Sequence, residues 1–156
     1  MNNNEKLTDV LNDLILINND RTAGYLNASD DAKSIDVDLH ATFNKMADQS
    51  RKFAAELTKE VTRLGGEPAT GTTGGGKIHR AWIDVKATFT GKDRQALLDS
   101  CEFGEDAAQK AYRDALASDA EISAETRQLI TDQQSSLKTS HDLIKKYRDA
   151  QKAVNA

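Results

Sequence analysis

The chain has 156 residues, enough for a hydrophobic core of its own, and 38% of them are apolar with only 5% aromatic. Its 21 basic and 25 acidic residues leave a net charge of −4, with both signs interspersed from end to end. No basic block is present to neutralise phosphates, so nucleic acid is excluded as a partner, and no apolar run approaches the length that crosses a bilayer.

The single cysteine, Cys101, leaves no internal disulfide. The residues Met1 to Lys6 lack the apolar stretch of a secretory signal. Together these features point to a reducing, cytoplasmic compartment.

Apolar residues recur at helical spacing. Leu7, Val10, Leu11, Leu14, Ile17, Tyr25 and Ala28 predict a first helix over roughly 5–28. Leu39, Phe43, Met46, Ser50, Phe53, Leu57, Glu60 and Leu64 predict a second over roughly 36–64, with Ser34 and Asp36 as candidate caps. Its stop signal is complete: Arg63 in the last turn, Gly65 and Gly66 after it, and Pro68 beyond.

Residues 67–76 read by composition as a flexible linker. Ile78, Trp82, Val85 and Phe89 then share one face of a short helix over 78–89. A third long helix follows over roughly 93–118, with the small-residue stripe Leu97, Cys101, Gly104, Ala108, Ala111 and Ala115. A glycine inside a helix costs roughly 1 kcal/mol against alanine, so Gly104 calls for a packing reason. Ser123 opens a fourth helix over roughly 123–150, with Thr126, Ile130, Gln133, Leu137, Ser140, Ile144 and Tyr147 on one face.

Roughly 28 residues separate the second and third long helices, far beyond a tight helix–helix turn of about 2–8. That stretch can span a helix of about 39 Å and bring the chain back to its starting end. The expected fold is therefore all-α: a ferritin-like four-helix bundle with one long crossover that carries a short extra helix. An up-and-down bundle with the short helix capping one end is the rival topology.

The chain resembles a bacterial ferritin-like four-helix-bundle family of unknown function. The resemblance rests on Leu11 to Ile15, Ile17 to Asp20 and Gly24-Tyr25 in the first helix. Arg51, Phe53 to Leu57 and Arg63 to Pro68 carry it through the second. His79 to Trp82, Thr90 to Asp93, Cys101-Glu102, Gly104 to Ala108, Tyr112 and His141-Asp142 complete it. It implies a bacterial cytoplasmic protein and transfers no activity. Asn27 stands where such proteins commonly carry an acidic residue, and Arg21 where a small residue is common.

A ferritin-like di-metal centre takes one Glu from each of two helices and a Glu-x-x-His pair from each of the other two. The second helix has only Asp48-x-x-Arg51 and Glu56-x-x-Lys59, and in the fourth Lys138 precedes His141 by three. With the second and third helices parallel, Asp20, Asp48, Glu102 or Glu105, and His141 come near one level. A reduced site of Asp48, Glu102, Glu105 and His141 for iron or another divalent metal is the alternative to no cofactor at all. The plainer expectation is that His141 hydrogen-bonds to Glu102 or Glu105 across the helix pair. Arg21, Asn18, Ser50, Gln133 and Ser140 lie on or beside inward stripes and need buried partners, with Arg21–Glu105 a candidate pair.

Two further motifs are set aside. Gly71 to Lys77 nearly spells a phosphate-binding loop, but Ile78 replaces the required hydroxyl residue and no strand precedes it. Cys101 sits on an inward stripe, where a free thiol acts as a small hydrophobe. The expected function is a non-catalytic binding or association module, with an unknown protein partner or a second copy. The alternative is a metal-binding or oxidative-stress protein.

Overall fold

The computed structural model describes residues 3–33, 36–73 and 94–155. Among the described residues four helices make up the fold: α1 Asn3–Ala32, α2 Val37–Arg63, α3 Arg94–Leu116 and α4 Ala124–Asn155. The short helix expected over 78–89, with Trp82 and Phe89, lies outside the described residues. Among the described residues no helix is long and apolar enough to cross a membrane.

The helix ends follow local chemistry. Asp36 caps α2 by accepting the Leu39 N–H at 3.0 Å. At the other end Gly65 takes φ +83°, a conformation that L side chains resist. Its N–H bonds to the Thr62 carbonyl and that of Gly66 to the Val61 carbonyl, both at 3.0 Å, which closes the helix. Ser123 opens α4 by accepting the Thr126 N–H at 3.3 Å. α1 runs past its expected end at residue 28 because Ala28, Ser29 and Ala32 are still buried and continue its inward face.

End-to-end contacts establish the topology. Arg94, at the start of α3, bonds to Asp36 at the start of α2 at 3.1 Å and to Gln151 near the end of α4 at 2.9 Å. At the opposite end Lys6 meets Asp119, and Thr126 donates to Glu60 at 2.7 Å. Thus α2 and α3 run parallel, and each is antiparallel to its hairpin partner. The bundle has the crossover arrangement, and the up-and-down rival is excluded.

The start of the crossover, in the segment expected to be a flexible linker, lies against α1. Residues 67–73 climb along α1 and are held by its side chains. Asn12 donates to the Glu67 carbonyl at 3.0 Å and accepts the Ala69 N–H at 2.8 Å. Asn19 donates to the Gly71 carbonyl at 2.7 Å. Asp20, itself buried, accepts the Thr73 hydroxyl at 2.5 Å and the Thr73 N–H at 3.3 Å. Composition does not show these bonds because they are made by backbone groups and one hydroxyl that a polar helix face can bind. Residues 74–76 of the expected linker lie outside the described residues. The strap leaves α2 tightly: a Cβ on Gly66 would stand 2.5 Å from the Thr8 methyl group.

The core divides into two apolar halves. One gathers Leu7, Leu11, Leu14, Phe53, Leu57, Val61, Ile130 and Leu137. The other gathers Tyr25, Leu39, Phe43, Met46, Leu97, Leu98, Cys101 and Ile144. The expected core residues Leu14, Phe43, Phe53, Leu57, Leu97, Ala108, Ile130 and Leu137 are all buried. The inward face of α3 is wider than its small-residue stripe, since Glu105, Gln109 and Tyr112 are buried as well while Ala111 is only half-buried. Gly104 is buried on that face, which supplies its packing reason.

Two outcomes follow. In hydrogen exchange the Ala69 and Thr73 amides are expected to be protected, and Asn12→Ala should speed exchange at Ala69 at least tenfold while α2 stays protected. The two lost bonds should cost about 1–2 kcal/mol. Equal exchange at Ala69 in both proteins would dismiss the strap. The second outcome concerns Glu60, whose carboxyl is held below its ordinary 4.5 by the Arg63 hydrogen bond, helped by Thr126 against the opposing effect of burial. A lowered carboxyl pKa stabilises the fold above the unfolded value, and that gain is lost as pH falls through the folded value. Glu60→Gln should therefore cost on the order of 1 kcal/mol at pH 7, with the difference vanishing in denaturant titrations run below both values.

Candidate functional site

Between the two apolar halves lies a polar layer to which all four helices contribute. Its centre is Arg21 of α1, fully buried, with Nε 2.6 Å from Oε1 of the equally buried Glu105 of α3. Arg21 Nη1 also donates to Ser50 Oγ at 2.7 Å, Gln49 Oε1 at 2.9 Å and the Met46 carbonyl at 3.2 Å, all on α2. The Tyr25 hydroxyl donates to the same Glu105 oxygen at 2.6 Å, and its ring lies 5.0 Å from the guanidinium carbon. Ser140 of α4 reaches Gln49 at 3.0 Å.

A second chain of bonds runs beside the first. Asn18 donates to the Tyr112 hydroxyl at 2.9 Å, and Tyr112 donates to Gln133 Oε1 at 2.7 Å. Gln133 in turn donates to Glu56 at 3.1 Å and to the Phe53 carbonyl at 3.4 Å. Arg21, Asn18, Ser50, Gln133 and Ser140 all take part, and Arg21–Glu105 is the buried ion pair among the bonds that join α1 to α3. Three buried atoms of this layer, Arg21 Nη2, Glu105 Oε2 and Asn18 Oδ1, make no bond to protein. An unmet buried polar atom costs about 1–3 kcal/mol, and internal water is the usual remedy.

Electrostatics keep the layer charged. Burial pulls the Arg21 guanidinium down, but the Glu105 carboxylate together with Tyr25 and Tyr112 more than reverses it, so the group lies above its ordinary value. Burial and then the Glu105 charge push the Tyr25 hydroxyl well above 10, so it serves as a hydrogen-bond donor. Cys101 lies one turn before Glu105, and burial with that carboxylate raises its thiol far out of the reactive range.

A second group of chemistry-bearing residues lies on the α3–α4 seam. Glu102 and Asp106 stand four apart on α3, and His141 comes from α4. One ligand atom of each lies within 4.8 Å of the other two. His141 Nε2 is 2.5 Å from Asp106 Oδ1, and Nδ1 is 3.1 Å from Asp142 Oδ1. Burial lowers the imidazole pKa, but the bonds to Asp142 and Asp106 outweigh it and raise the group above 6.5. Arg148 pairs with Glu102 on the same seam.

The four residues expected to share a reduced metal site therefore separate. Glu102 and His141 come together. Glu105 turns inward to Arg21. Asp48 is exposed on α2 and pairs with Arg51 at 3.1 Å, one turn along its own helix. His141 bonds to Asp106 because Asp106 lies one helical turn past Glu102 on the seam, while Glu105 faces the core. Asp106 was not singled out from the sequence. Its signal is the four-residue spacing from Glu102, legible only once the α3–α4 register is known. His40 bonds to Ser29 and Asn44 between α1 and α2, away from both groups, and His79 lies outside the described residues.

Two antiparallel pairs joined by a long crossover around a buried layer define a ferritin-like four-helix bundle. The structure is similar to that of a Mycobacterium smegmatis Dps1 mutant, with a TM-score of 0.75 and 14% identity, covering 94% of this chain and 97% of that chain. At that identity the likeness defines the fold alone. Residues 6–118 match the family described as Domain of unknown function (DUF2383), and the chain belongs to that family. No curated protein matches it by sequence.

The buried pair makes a quantitative demand. Arg21→Met or Glu105→Leu alone leaves one charge unanswered in the core, and each should cost about 3–5 kcal/mol. The double variant should lose much less than their sum, since no charge is left stranded. Denaturant unfolding of the four proteins measures the coupling, and simple additivity would mean the two side chains do not depend on each other.

Proposed function

We propose that this protein is a non-catalytic ferritin-like module that acts by association, with a second copy or with a protein partner, and has no di-metal centre in its bundle. The observation that carries this reading is the buried Arg21–Glu105 pair. A di-metal centre in this fold gathers carboxylates and two histidines in the bundle core. Here the core carboxylate is already neutralised by the protein's own cation, and His141 points along the seam toward Asp106. A fixed, buried guanidinium repels a second cation.

Association has its own support. Phe103 on α3 is 56% exposed, and Leu143 on α4 and Leu26 on α1 are also exposed large apolar residues. The bacterial and cytoplasmic assignments implied by the resemblance belong to this same reading. The buried free thiol of Cys101 is consistent with a reducing compartment.

The test is metal content. Protein expressed in iron- and manganese-supplemented medium and then desalted should carry no stoichiometric iron and should not oxidise Fe²⁺ faster than buffer. Two equivalents of iron per chain, lost in Glu105→Gln, would overturn the reading. The second reading, a metal-binding or oxidative-stress protein, draws its support from the Glu102, Asp106 and His141 cluster.

A further inference from the structure

We propose that Glu102, Asp106 and His141 form a site on the α3–α4 seam for one exchangeable transition-metal dication, separate from the bundle centre. The ligand set is mixed: two carboxylates and an imidazole from two different helices, not an acidic patch alone. Two carboxylates balance a 2+ ion, and three protein ligands leave a fourth position for water. Imidazole with carboxylate suits zinc and its neighbours better than magnesium or calcium, which take oxygen ligands alone.

The geometry needs little rearrangement. The three ligand atoms lie within 4.8 Å of one another, against edges of about 3.4 Å at a tetrahedral zinc. Glu102 and Asp106 are a helical turn apart on one face and need only rotamer changes to converge. The side chains of Glu102 and His141 are 12% and 18% exposed, which limits their freedom, while Asp106 at 61% leaves the site open to solvent. His141 is also oriented from behind. Its Nδ1 meets Asp142, which leaves Nε2 facing the carboxylates, the arrangement by which metal-binding histidines are commonly held.

One group opposes the ion. Arg148 pairs with Glu102 through Nη1, so an incoming cation competes with a cation already in place. That competition makes the site weak and its occupancy reversible. The proposal deepens the metal-binding reading but does not involve Arg21 or Glu105. Failure at the seam and failure at the core are therefore read by different variants.

Titration of the metal-free full chain with Zn²⁺, followed by calorimetry and by competition with a chelating dye, tests it. Co²⁺ serves as a spectroscopic stand-in whose visible bands report coordination number. One equivalent should bind, with tetrahedral-type Co²⁺ absorption. His141→Ala and Asp106→Asn should each weaken binding at least tenfold with circular dichroism unchanged. Arg148→Ala should tighten it several-fold, because Glu102 is released. Undiminished affinity in both His141→Ala and Asp106→Asn would overturn the site. Unchanged or weaker binding in a folded Arg148→Ala protein would remove Glu102 from it and overturn the three-ligand proposal. Glu105→Gln should leave this binding intact, and its loss there would return the metal to the core.

Discussion

A guanidinium with no exposed surface must have its charge and its donors answered inside the protein, and in this bundle Arg21 sets that condition for all four helices. Glu105 supplies the charge from α3, and Met46, Gln49 and Ser50 supply acceptors from α2. α4 enters through Ser140 on Gln49. A shift of α1 or α2 by a residue would break several of these bonds at once, and a shift of α3 would strip Arg21 of its counter-charge. Buried ion pairs add little net stability over apolar packing, but separating one leaves an uncompensated buried charge, which is strongly unfavourable. The apolar halves on either side, rich in Leu and Ala, interdigitate less selectively and gain a defined alignment from the layer between them.

Much of this architecture was legible from residue spacing, and the reasons differ from element to element. α2 carries a clean stripe, an Asp36 cap and a Gly65 stop, each of which acts within a few residues and needs no tertiary context. α3 was harder to read because its buried face holds Glu105, Gln109 and Tyr112, polar residues that an apolar stripe does not flag. Pairing Arg21 with Glu105 was accessible because both sit beside inward positions in the middle third of their helices. The strap escaped notice because Asn12, Asn19 and Asp20 look like an ordinary solvated flank until residues 67–73 are laid against them. They fall within the very stretches that carry the family resemblance.

The seam cluster illustrates a different limit. Glu102 and His141 could be named as candidates from residue type, but the partner that joins them, Asp106, depends on how α3 and α4 slide past one another. A slip of one turn would have brought a different carboxylate to His141. Spacing within a helix is written in the chain, whereas register between helices is an outcome of packing. Asp48 shows the same point in reverse, since its level along the bundle is suitable but its side chain pairs with Arg51 on the outer surface.

The long crossover also orders how the bundle is assembled. α1 and α2 are joined through a connection of a few residues, as are α3 and α4, so each hairpin gains contacts after closing only a short loop. The Arg21–Glu105 contact spans 84 residues and the Asn18–Tyr112 contact 94. Closing loops of that length carries a greater entropic cost, recovered only when both hairpins already present formed faces. By that entropic cost the layer is expected to form after the hairpins and to join them. Arg21 with Glu105 and Asn18 with Tyr112 both join the first hairpin to the second, so a misaligned docking would leave several buried polar groups without partners.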